Sequence, residues 1–339
     1  MRNLSMDALC EKIGNAVSKQ AISKYEKGES LPGSQILILL SQALDVKPDY
    51  FFRESQFAIS NIEFRKKAKM GVKEVEAIKE EIRDIIERYL EIEDVWGCVP
   101  SFANPVKDML VVSDDDVCEV VKRLKEAWNI GEDGILSVTD LLESKNIKVV
   151  EIKADSSFDG LSGYVNNDEN MPFVVVNKSF DVERLRFTGL HELGHLVMNL
   201  PEEMEKKDKE RLCNLFASEM LISRDTFVDV LGERRSDISL QELKVLQAVY
   251  GISVDALMFK AKTVGVISES KYTSFCIRKN KSLAFKDAVE RSSYRGVEES
   301  SRFDRLVYRA LASDMISCSK AAVLLNEPME EVKNKLELV

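Results

Sequence analysis

The chain has only two histidines in 339 residues, His191 and His195. They stand four apart in "FTGLHELGHLVM" (187–198), with Glu192 directly after the first. Four residues is little more than one helical turn, so on a helix both imidazoles lie on one face. The stretch contains no proline, and Leu190, Leu193, Leu196 and Val197 have the apolar spacing of a buried helix. Whatever the rest of the chain does, this stretch is expected to be a packed helix carrying two imidazoles and a carboxylate side by side.

Two neutral imidazole nitrogens one turn apart can meet a single metal ion. Glu192, rotated beside that face, can reach a water held there. This is the HExxH pattern, two metal ligands and a proton-accepting glutamate. A histidine on an apolar helix is more often an ordinary core or surface residue. The metal reading is favoured because the chain spends no histidine elsewhere and an acid-bearing helical segment follows closely. A catalytic zinc takes three protein ligands, and without a third histidine the last must be Asp, Glu or Cys. The segment "KERLCNLFASEMLIS" (209–223) offers Glu210, Cys213 and Glu219. Glu210, Cys213 and Asn214 share a face at i, i+3 and i+4, whereas Glu219 falls elsewhere on the turn. Spacing alone leaves the choice open.

The surroundings are those of a globular protein, 45% hydrophobic and 31% charged, with no apolar run of membrane-spanning length and no secretory leader at its start. The six cysteines are scattered without a CxxC pair, which suits the cytoplasm better than a disulfide scaffold. The net charge of −10 is uneven. Residues 1–70 carry eleven Lys/Arg against eight Asp/Glu, and the remainder carries −13. An acidic body with a mildly basic head excludes general coating of nucleic acid and allows one small DNA-reading module.

The expected fold class is mainly α with a small β-sheet (α+β). Residues 1–58 read as a helical head built from "SMDALCEKIG", "SKQAISKYEKG" and "LPGSQILILLSQALDV", a helix-turn-helix arrangement. Residues 59–262 hold amphipathic helices over 72–95, in "DDDVCEVVKRLKEAWNIG" and in "SVTDLLESKN". Three strand candidates follow, "IKVVEI", "LSGYVN" and "FVVVN", the last two forming a hairpin across "NDENMP". Helices are expected from about 181 to 200, from about 207 to 223, and through 235–262. Residues 263–339 read as a C-terminal helical domain for sensing or dimerisation, with a strand-like piece at "YTSFCI" and helices in "RFDRLVYRALAS", "SKAAVLLN" and "PMEEVKNKLE".

"RLRFTGLHELGHLVMN" followed by "ERLCNLFASEMLIS" resembles the ImmA/IrrE family of metallo-endopeptidases. That family has an Arg-Phe-Thr lead-in to HExxH and then Glu-x-x-x-Asn-x-Phe-Ala. Here the ending reads Met220-Leu221-Ile222-Ser223 where Leu-Leu-Met-Pro is usual, and Cys213 replaces a small residue. The resemblance implies a zincin-like peptidase domain in which His191, His195 and Glu210 bind Zn2+ and Glu192 is the general base. Cys213 then reads as a buried thiol, with a competing thiolate ligand as the alternative. Tyr164, on the strand "GLSGYVN", is the candidate oxyanion donor against a plain strand tyrosine, and that strand offers an edge for an extended substrate.

The head resembles an Xre-type helix-turn-helix domain, often fused to this peptidase. Its first helix is expected to be truncated, and the loop "GNAVS" is about two residues longer than usual. The second helix would enter the major groove with Ala21, Ile22 and Tyr25 buried. Ser18, Lys19, Gln20, Ser23 and Lys24 would then face DNA; a protein-binding head is the alternative. The basic run "FRKKAKM" (Arg65, Lys66, Lys67, Lys69) reads as a solvated linker. Together these features imply a cytoplasmic, DNA-binding regulator that cleaves a helix-turn-helix repressor under stress or DNA damage. The alternative is a non-proteolytic regulator or antitoxin with a toxin partner. Neither reading needs a membrane, and both accommodate a homodimer.

Overall fold

The computed structural model describes residues 4–44, 46, 48, 51, 71–97, 101–165, 168 and 170–336. The basic run at 65–69, the boundary at 58/59, Asn166 at the end of the expected strand, and Asn167 and Glu169 of the expected turn lie outside them. The architecture is mainly helical with one three-stranded mixed sheet. Among the described residues, no helix is long and apolar enough to cross a membrane.

The head contains α1 (Met6–Lys12), α2 (Lys19–Glu26) and α3 (Ser34–Leu44). Ser5 and Ser18 cap the first two, each hydroxyl accepting a backbone N–H three residues on. Leu9, Cys10, Ile13, Ile22, Leu40 and Ala43 close a small core of their own.

The body begins with α4 (Val72–Val95), α5 (Asp114–Trp128) and α6 (Val138–Ser144), then β1 (Lys148–Ile152), β2 (Gly160–Tyr164) and β3 (Pro172–Asn177). β3 lies in the middle, parallel to β1 and antiparallel to β2. The expected hairpin is present, with Tyr164 opposite Pro172. All six residues of β3 are buried, because the sheet is covered on both faces. Phe173 and Val175 alternate towards Ile78, Ile82 and Ile86 of α4. Val174 and Val176 point the other way, into the large core behind the histidines.

That core is shared by α5 and α6 with α7 (Val182–Val197), α8 (Lys206–Leu221), α9 (Arg224–Leu231), α10 (Leu240–Tyr250), α11 (Val254–Thr263), α12 (Glu269–Lys281) and α13 (Leu283–Glu290). The last helices, α14 (Arg302–Ala312), α15 (Cys318–Leu324) and α16 (Met329–Lys335), pack with Ile92, Val95 and Trp96 at the end of α4.

One expectation needs correction. "YTSFCI" is helical, inside α12. Its aromatic and β-branched residues favour a strand locally, but Ser268 caps a helix there and Phe275 packs edge-on to Phe285. The segment 235–262 is helical as expected, divided into α10 and α11, with α10 ending at Gly251 in a left-handed conformation (φ +59°). A Cβ at Gly251 would also lie 2.4 Å from Nε of Arg186. Gly251→Ala is therefore expected to cost about 2–4 kcal/mol, combining left-handed strain of about 1–2 kcal/mol with displacement of a buried arginine. Gly265→Ala, at φ +85° with no atom near the added Cβ, should show the strain alone. Equal midpoints in denaturant titrations of the two variants would refute the steric part.

Candidate metal centre

The centre is made by two packed helices. α7 presents His191, Glu192 and His195, and α8 presents Glu210. The Nε2 atoms of the two histidines are 3.1 Å apart. Oε2 of Glu210 lies 3.2 Å from Nε2 of His191 and 3.8 Å from Nε2 of His195. Donors about 2.0–2.2 Å from one tetrahedral ion stand about 3.3–3.5 Å from each other, so the three atoms outline one face of such a coordination shell. Among the described residues they form the group of His, Cys, Asp and Glu side chains able to hold a metal.

The far side of each ring is fixed by the same helix that supplies Glu210. Nδ1 of His191 lies 2.9 Å from Oδ1 of Asn214, and Nδ1 of His195 lies 3.0 Å from Sγ of Cys213. With the proton on each Nδ1, both Nε2 lone pairs turn towards Glu210, as a ligand's outer partners are expected to ensure. The shared face of Glu210, Cys213 and Asn214 is thus real, but only its first member reaches the common point. Cys213 is fully buried behind His195, which makes it an orienting partner of the ring; the sequence suggested either an inert thiol or a ligand. Glu219 points elsewhere. It is buried in an ion pair with Lys260 and accepts the backbone N–H of Arg224 at 2.7 Å. Burial pushes the Lys260 ammonium below its usual range and the adjacent carboxylate pulls it back.

Glu192 is 4% exposed, and one carboxylate oxygen accepts the hydroxyl of Ser162 at 2.7 Å. Ser162 comes from β2, a partner that the sequence reading did not identify. The strand approaches this closely because its first residue is glycine. A Cβ at Gly160 would lie 2.6 Å from both Cγ2 of Thr188 on α7 and the carbonyl oxygen of Val175. Beside the carboxylates, a cavity of about 410 Å³ is lined by Gly160, Thr188, His191, Glu192, Glu210 and Asn214, with Arg184 and Asp159 paired at its rim. Tyr164 stands two residues beyond Ser162, and its hydroxyl donates to the carbonyl of Leu196 at 2.9 Å.

In the head, Lys19, Gln20 and Lys24 are exposed on α2, and Ser23 is half-buried. Ser18 is also exposed, but its hydroxyl is engaged in capping the helix. Lys19 pairs with Asp7 at 2.6 Å. Ile22 is buried, with Ala21 and Tyr25 partly so.

Residues 142–262, which contain the whole centre, match the family model of the IrrE N-terminal-like domain of peptidase family M78, and residues 1–51 match a helix-turn-helix model. An uncharacterized HTH-type transcriptional regulator of Sinorhizobium fredii (strain NBRC 101917 / NGR234), y4aM, is 45% identical over 53 residues. That likeness covers 16% of this chain and 36% of the length of the relative. The chain therefore carries an Xre-type helix-turn-helix domain at its N-terminus and an IrrE-like metallopeptidase domain after it.

Proposed function

We propose that this protein is a zinc-dependent endopeptidase joined to a DNA reader, and that it cuts a helix-turn-helix repressor in the cytoplasm to release genes under stress. The observation that carries the reading is the convergence of His191, His195 and Glu210 on one point, with Glu192 alongside. These three side chains would hold the zinc, which when bound would supply the Lewis acidity needed to make water a nucleophile near neutral pH. Glu192 takes the proton from the attacking water and returns it to the departing amine as the peptide C–N bond breaks. Ser162 orients the carboxylate for that transfer. β2 is an edge strand, so an extended peptide can pair along it and lie over the cavity. Tyr164, on the same face of β2 as Ser162, serves as oxyanion donor by exchanging its hydrogen bond to Leu196 for one to substrate.

The reading is tested by incubating the zinc-loaded chain with helix-turn-helix repressors encoded near its own gene. Discrete fragments that vanish with a chelator support it. Intact repressors throughout would move the protein to a regulator or antitoxin that uses the same fold to hold a partner.

DNA recognition is proposed for residues 1–58, with the contacts on α2. Affinity is expected to fall steeply with salt, because phosphate contacts release counterions. Lys24→Ala should weaken binding to every sequence, and Gln20→Ala should mainly relax base preference, by about 1–3 kcal/mol at one position. Gel-shift titrations at several salt concentrations read both effects. A salt-independent association would point to protein binding by the head.

A further inference from the structure

The metal helix is gripped from behind by the segment that leads into the tail. Residues 291–301 connect α13 to α14 without regular structure, and Glu298 alone among them is buried. The segment is tied down by polar groups. The hydroxyl of Ser292 donates to the buried carboxylate of Glu183 on α7. The hydroxyl of Tyr294 donates to the carbonyl of Leu136 at 2.8 Å. At Ser300, the backbone N–H donates to Glu151 and the hydroxyl to Glu143, each at 2.6 Å.

Glu298 is the centre of this arrangement. Its carboxylate accepts the backbone N–H groups of Val138 (2.9 Å) and Thr139 (2.8 Å), at the start of α6. It also pairs with Arg186 of α7, a side chain with no solvent exposure. The other oxygens around that guanidinium are neutral, the carbonyls of Ile135, Leu136 and Tyr250 and the Tyr294 hydroxyl. Arg186 stands five residues before His191, about 7.5 Å along the helix axis. One carboxylate from the tail thus sets the register of the metal helix against α6. A buried guanidinium stripped of its counter-charge costs several kcal/mol.

Just beyond, Arg302 of α14 donates to the Tyr89 hydroxyl and to Glu93 of α4, both at 2.9 Å. The strap is therefore drawn between the metal helix and the tail helices, which sit on α4.

We propose that residues 291–301 are a releasable latch and that Glu298 is a positioning residue for the metal site, acting through Arg186. Seated, it holds His191 and His195 in ligating register. When a partner or signal displaces α14–α16, Glu298 is withdrawn, α7 slackens, and metal retention and cleavage fall together. Because withdrawing Glu298 strips the counter-charge from buried Arg186, release has to be driven by the binding free energy of whatever displaces α14–α16. The inference rests on the reading of the site as a metal centre.

The test uses the full chain and compares Glu298→Gln with Ile82→Ala, which opens a cavity between α4 and the sheet and leaves the strap intact. Zinc transfer to a chromogenic chelator should be about tenfold faster than wild type for Glu298→Gln, the scale on which outer partners affect metal sites. Ile82→Ala should stay near the wild-type rate despite its lower melting temperature. Ser300→Ala, which takes one hydrogen bond from the buried Glu143 carboxylate and leaves it the backbone N–H of Arg302, should give a smaller acceleration, about fivefold, and serves if Glu298→Gln does not fold. A second readout needs no metal. Amide exchange across 184–190 in the zinc-free chain should quicken in the two strap variants more than in Ile82→Ala.

Wild-type protein that binds no zinc overturns the metal reading, and the exchange data then decide the latch alone. Zinc-binding wild type whose strap variants release metal and exchange no faster than Ile82→Ala overturns the latch.

Discussion

Glu192→Gln is expected to reduce repressor cleavage by about 10²–10⁴-fold, the usual range for removing a general base, while zinc content and DNA affinity stay at wild-type levels. Glutamine keeps the shape of the side chain and can still bond to the hydroxyl of Ser162, which acts equally well as donor or acceptor. It cannot take a proton from water. The group that converges on the metal point is His191, His195 and Glu210, so the substitution removes no ligand. The DNA reader is a separate domain at 1–51. Three measurements on one variant therefore separate chemistry from binding. A Glu192→Gln chain that still induces its target genes normally in cells would mean that proteolysis is not the function, and the partner-binding reading would replace it.

Ligand removal should split two glutamates that are nine residues apart on one helix. Zinc binding worth about 10–16 kcal/mol is shared among a few ligands. Losing one of three costs on the order of 3 kcal/mol, more than a hundredfold in affinity. His191→Ala, His195→Ala and Glu210→Ala are therefore expected to lose metal in equilibrium dialysis while remaining folded. Glu219→Ala should do the reverse. Glu219 and Lys260 are 3% exposed each, so deleting the carboxylate leaves a buried ammonium unpaired and lowers stability by about 3–5 kcal/mol. Its affinity for metal, measured in the folded protein, should hardly change. If Glu219→Ala instead released the metal and Glu210→Ala kept it, the third ligand would have to be reassigned.

The parts of the site legible in the sequence are those set by helical period. His191 and His195 are linked by four residues, and Glu210, Cys213 and Asn214 by three and four, so local geometry places them whatever the tertiary fold. The same reasoning could not tell which member of the second group would reach the metal. That depends on how α8 crosses α7, and the crossing puts Glu210 at the Nε2 side while Cys213 and Asn214 take the Nδ1 side. Ser162 was missed because strand pairing, not sequence spacing, brings it to Glu192 from thirty residues away. Arg186 and Glu298 are 112 residues apart, and no periodicity connects them. Arg186 stands in the Arg-Phe-Thr lead-in to the histidines, but nothing in that spacing reveals its burial. The misread strand at "YTSFCI" failed for a related reason. Six residues of strand-favouring composition carry less weight than a serine cap and an aromatic contact with the next helix.

Metal analysis of the 339-residue chain purified without chelator tests most directly whether His191, His195 and Glu210 form one metal site. The predicted result is about one zinc per chain, since three protein ligands and a water complete one tetrahedral site, falling to near zero in His195→Ala. A wild-type chain that is fully folded yet metal-free, and that takes up no zinc when it is supplied, would contradict the account.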